Sequence, residues 1–119
     1  MKRWIFGLAG SLLCLAAAGA PACVTGMNDS AALNTCLEGE LEQRSRIAEQ
    51  FARRAADTKP SSERRRLMDE FADWKKSALL ACSIESQRHP DAEIREIQRK
   101  ICLIERTNER IAADSRPPP

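Results

Sequence analysis

The sequence predicts an all-α fold, an antiparallel helical hairpin with a third packed helix, stapled by two disulfides. Apolar residues recur at three- and four-residue steps over three long segments, and proline-centred breaks separate them. No alternating run or hairpin-turn dipeptide competes. The staples follow from four cysteines, Cys23, Cys36, Cys82 and Cys102, that outlast an export leader.

Residues 1–22 read as a secretory signal peptide. Met1-Lys2-Arg3 is the basic start, Trp4 to Ala18 carries no charge, and Ala20-Pro21-Ala22 is an A-x-A cleavage site that leaves Cys23 first. The apolar run is near the minimum for a membrane span and is interrupted by Gly7 and Gly10, so cleavage is favoured over a retained anchor and no membrane insertion is expected afterwards. Cleavage also removes Cys14, turning five cysteines into four. Lipidation of Cys23 is disfavoured: the usual leucine is missing, Pro21 intervenes, and one remaining thiol would be left unpaired in an oxidising compartment. A free periplasmic or secreted protein is the expectation.

Taking the 22 leader residues from 119 leaves 97, enough for one domain, here 23–113, with 114–119 as a disordered Pro-rich tail. Losing Lys2 and Arg3 from 19 basic residues leaves 17, equal to the 17 acidic ones. A formally neutral chain has no general attraction for nucleic acid. Only Phe51, Phe71 and Trp74 remain as aromatics, so the core is lean and disulfides are the expected support.

The first helix is expected from about Ser30 to Asp57, with Leu33, Leu37, Leu41, Ala48, Phe51 and Ala55 on one side together with Cys36. Asp29 or Ser30 can cap it. Pro60 ends the break that follows, and Ser61 or Ser62 can cap a second helix running to about Gln87. Leu67, Phe71, Trp74, Ala78 and Cys82 form its stripe, widened by Met68, Ala72 and Leu79. After His89-Pro90, Asp91 caps a third helix, about Ala92 to Ala113. Its seam of Ile94, Ile97, Ile101, Ile104 and Ile111 has only Asn108 polar in the series.

Four cysteines allow three pairings. Cys36 lies about 9 Å from the start of the first helix, and Cys82 about 9 Å from the end of the second, which is the same end of an antiparallel pair. Equal heights favour Cys36–Cys82, leaving Cys23–Cys102 as the second bridge. A zinc site would need close pairs such as C-x₂-C, and a redox centre C-x-x-C; neither is present, so no metal or other cofactor is expected.

Catalysis finds little support in these residues. His89 is the single histidine and sits in a turn, no Gly-rich phosphate loop exists, and the paired carboxylates Glu40/Glu42 and Asp69/Glu70 lie on solvent-facing helix positions. The chain reads as a non-enzyme. Arg53, Arg54, Lys59, Arg64, Arg65 and Arg66 gather at the first turn, a candidate anion-binding tip set against the simpler expectation of a solvated surface with local pairs such as Glu49 with Arg53. Trp74, on the apolar stripe, is expected in the core.

With these residues laid out, the chain resembles the LprI-type lysozyme-inhibitor family of small exported bacterial proteins. The resemblance lies in Leu33-Asn34-Thr35-Cys36 after Cys23, in Trp74 eight residues before Cys82, and in Cys102-Leu103-Ile104-Glu105 followed by Thr107-Asn108-Glu109-Arg110. It spans about residues 23–113. Ala78-Leu79 stand where the family usually has Arg-Asp, Phe51 replaces a tyrosine, and His89-Pro90 replaces a glycine turn. The resemblance implies a four-cysteine helical scaffold that blocks a lysozyme or another envelope protein by steric occlusion. Because such enzymes are basic with carboxylates in the cleft, either an acidic edge (Glu38, Glu40, Glu42) or an inserted arginine would serve. The alternative is a structural or accessory periplasmic protein, binding envelope anions through the arginine-rich tip. Oligomeric state is left open.

Overall fold

The computed structural model describes Cys23 and residues 29–116, so the expected leader and the last prolines lie outside the described residues. Three helices account for nearly all of it: α1 (Ser30–Asp57), α2 (Ser61–Ser86) and α3 (Ala92–Asp114). The all-α expectation holds. Asp29 caps α1 by accepting the Ala31 amide, and Asp91 caps α3 by accepting those of Glu93 and Ile94. The α2 start differs from expectation. Pro60 itself is the N-cap and neither serine bonds an amide; Arg64 N–H donates to the Pro60 carbonyl at 2.8 Å to close the first turn. Proline's fixed φ already aims the chain into the helix, so Ser61 enters as its first residue.

α1 runs up, α2 down and α3 up, so α1 and α3 are parallel. Ser30 Oγ donates to Glu93 at 2.9 Å, joining their starts, and α1·α3 is the most extensive helix contact. The core is divided in two. Near the α1 start, Cys23, Leu37, Ile97 and Ile104 are buried, with Leu33, Leu41 and Ile101 against them. Near the α1–α2 turn, Ala48, Ala52 and Phe71 are buried with Met68, Trp74 and Ile111. Leu37 and Ile104 are fully enclosed, each contributing about 1.5–3 kcal/mol of burial.

The disulfides are Cys23–Cys36 and Cys82–Cys102, which overturns the expected Cys36–Cys82 and Cys23–Cys102. The height estimate assumed that α2 ends level with the α1 start. Instead α3 begins beside Ser30, and Cys82, four residues before the end of α2, lies opposite Cys102, ten residues into α3. Cys82 therefore stands about 6 Å higher along the bundle than Cys36. Cys23 is buried within the lower core, where Cys36 also packs, with the two Cα atoms 5.8 Å apart.

A non-reducing peptide map should return Cys23–Cys36 and Cys82–Cys102. Replacing Cys82 and Cys102 together by serine should cost about 3 kcal/mol in urea unfolding, as expected for a loop of this length. A map showing Cys36–Cys82 would overturn the α2–α3 register.

Candidate functional site

The residues that carry the resemblance fall at two levels of the bundle and have different tasks. Lower down, Leu33 packs into the core and Asn34 Oδ1 accepts from Lys100 Nζ at 2.6 Å. Glu38 Oε1 lies 2.7 Å from the same ammonium. Lys100 is only 7% exposed, and periodicity gave no warning of it, because it lies one residue before Ile101 at the margin of the isoleucine seam. Burying the ammonium is tolerable because a carboxylate and an amide oxygen both meet it.

Higher up, Arg110 is the hub. It lies 5.2 Å from the Trp74 ring centroid and 5.4 Å from that of Phe71. Its two terminal nitrogens donate to Glu70 at 2.9 and 3.2 Å, and Nε donates to Asp114 at 3.0 Å. A flat guanidinium can stack on aromatic rings and still bond a carboxylate in its own plane, which an ammonium does not do. The hydrogen bonds from Arg110 hold the Glu70 carboxyl below its ordinary range, outweighing desolvation, and the same bonds raise Arg110. Trp74 is half-buried, stacked on Phe71 of the same helix at 5.6 Å and packed against the upper core.

Three of these residues, Trp74, Leu103 and Thr107, also line a cleft of about 230 Å³ between the two cores. Leu41, Ala48, Phe71 and Ala78 complete its apolar walls, with Ser45, Lys75 and Leu79 also on the lining. Thr107 donates its hydroxyl to the Leu103 carbonyl at 2.6 Å. A second concavity of about 240 Å³ borders the Cys82–Cys102 bridge; it is more polar, lined by Glu85, Gln98 and Glu105 among others, and holds the exposed Glu105 of the resemblance.

One surface was not legible. Leu79, expected on the buried stripe, is 48% exposed, while Leu80 and Ile84 are 63% and 58% exposed. Leu80 follows Phe71 by nine residues, two and a half helical turns, and so faces directly away from the core. Leu80 and Ile84, one turn apart, form an apolar patch on α2 that brackets Cys82 along the helix, whereas Leu79 borders the cleft.

The arginine tip is largely a set of local contacts. Arg53 pairs with Glu49 at 2.6 Å and Arg66 with Glu63 at 3.7 Å. Arg64 donates to the Lys59 carbonyl, and Arg54 lies 5.8 Å from the Phe51 centroid. Arg65 borders a shallow hollow with Ser61 and Ser62. On the opposite edge, Glu38 is committed to Lys100 and Glu42 lies 3.8 Å from Arg46. His89 accepts the Asp91 amide on Nδ1, a turn role. Among the described residues no cluster of three potential metal ligands occurs, and no helix is long and apolar enough to cross a membrane. No protein-family model, no curated protein and no solved structure matches the chain.

Arg110→Ala should lower stability by about 2 kcal/mol through lost stacking and pairing, and Arg110→Lys should recover only part of it. Glu70 has a lower folded than unfolded pKa, so its contribution is complete above the unfolded value near about 4.3 and fades as pH falls through the folded value. Glu70→Gln should therefore cost up to about 1 kcal/mol at neutral pH, with the gap from wild type closing in acid. Urea melts across the acid range check this; a gap of constant size would show that the carboxylate's charge is not what Arg110 holds.

Proposed function

We propose that the chain is an exported, non-enzymatic interaction protein of the lysozyme-inhibitor kind, which occludes a partner's cleft sterically. The observation that carries this is the exposed Leu80 and Ile84 patch on a helix held from beneath. The Cys82–Cys102 bridge, between those two residues, and the Arg110 hub, further up, both fix α2 to α3, so little ordering would be needed on binding. Exposed aliphatic side chains on a rigid helix suit insertion into a groove lined by apolar and polar groups, as substrate clefts are. The disulfides suit an oxidising compartment, and with the resemblance they support export to the periplasm or beyond. Lysozyme as the partner rests on the resemblance.

The oxidised mature protein at micromolar concentration should slow the clearing of cell-wall suspensions by at least one of the c-, g- and i-type lysozymes. Changing Leu80 and Ile84 to aspartate should weaken that inhibition by about tenfold or more while leaving the thermal midpoint nearly unchanged, since both positions face solvent. Undiminished lysis by all three enzymes would remove the lysozyme assignment. Full inhibition by the double variant would move the contact surface elsewhere.

The start of α2, where no side chain bonds the first amides, with Arg65 beside Ser61 and Ser62, favours a second reading as an accessory protein that holds envelope anions at the arginine tip. Changing Arg64, Arg65 and Arg66 to alanine should then abolish retention on peptidoglycan or lipopolysaccharide. Equal retention by the variant would discard the tip.

A further inference from the structure

The cleft between the two cores is where the bundle departs most from an ordinary small domain. Hydrophobic clusters usually merge into one contiguous core. Here they stay separate, because α1 changes from leucine (Leu33, Leu37, Leu41) to alanine (Ala48, Ala52, Ala56) along its inner side, and α2 offers Ala78 opposite. Small residues at the crossing level leave about 230 Å³, the liquid volume of seven or eight waters at about 30 Å³ each. Few polar groups line the cleft. Thr107 has given its hydroxyl to the Leu103 carbonyl, and the walls are otherwise carbon apart from Ser45 and Lys75.

Lys75 supplies the polarity of the site. Its ammonium lies 5.3 Å from the Phe71 centroid and forms no ion pair with a described carboxylate. Glu49, which feels its charge, is hydrogen-bonded to Arg53. The Ser45 hydroxyl makes no hydrogen bond among the described residues. An apolar hollow whose lining carries one cation with no described carboxylate paired to it and one hydroxyl with no described hydrogen bond complements an apolar body with an anionic head.

We propose that this cleft binds a small free monocarboxylate, with an alkyl or aryl body of roughly eight heavy atoms between the cores and its carboxylate at Lys75 and Ser45. The site is independent of the lysozyme reading, which rests on Leu80 and Ile84 on the far side of α2.

Trp74 is the only tryptophan left once residues 1–22 are removed, so its fluorescence reports the cleft directly. Octanoate, octan-1-ol and octylamine should be titrated into the oxidised mature protein, with calorimetry in parallel. Octanoate should give a saturable change below about 1 mM, bind more tightly than the alcohol, and bind most tightly at low salt. Lys75→Glu, at an exposed position, should lower octanoate affinity by about fivefold to tenfold and favour octylamine instead. Ser45→Leu, also exposed, should remove binding of both without lowering the thermal midpoint. The proposal is overturned if octanoate gives no saturable signal, or if Lys75→Glu leaves the ligand order unchanged. It is equally overturned if the Trp74 signal follows protein concentration alone, as it would for a second copy, or appears only with anionic phosphatidylglycerol vesicles.

Discussion

The vertical placement of α3 against its two neighbours is the constraint on which the bundle depends. α3 meets α1 through Lys100, Asn34 and Glu38, and meets α2 through the Cys82–Cys102 bridge and then through Arg110. Each contact is specific in position along the helix, unlike the isoleucine seam, which a shift of one turn would leave chemically similar. Apolar burial drives the helices together; the polar contacts and the disulfide select one register. With Phe51, Phe71 and Trp74 as the only aromatics among the described residues, that selection cannot be left to packing alone.

Keeping the register has consequences for the surface. With α2 tied along its inner side by Phe71, Ala78 and Cys82, its opposite side is fixed toward solvent, and Leu80 and Ile84 are held there. A helix free to roll would bury them. The same register brings alanines together at the crossing level and holds the cleft open, because neither α1 nor α2 can slide to fill it. Patch and cleft are two results of one clamp, on opposite sides of the same helix.

The residues behind the resemblance look different once placed. Leu33, Asn34, Trp74 and Arg110 maintain helix contacts, and Leu103 and Thr107 form a wall of the cleft, while Glu105 is exposed beside the disulfide. Most of the pattern therefore describes how three helices are held together. The exposed Leu80 and Ile84 patch proposed as a contact surface lies outside it.

Helix number, helix limits and the Asp29 and Asp91 caps were legible from the sequence, since periodicity, proline and side-chain capping are local effects spanning a few residues. So was the Glu49–Arg53 pair, one turn apart on a single helix. The disulfide pairing was not, because it depends on how far the Gln87–Asp91 turn drops α3 below the end of α2, a distance no local pattern encodes. The burial of Lys100 and the exposure of Leu79 needed the same information. Each depends on which neighbour stands opposite, and only the packed bundle, through the α1–α3 contact and the α2 clamp, decides that.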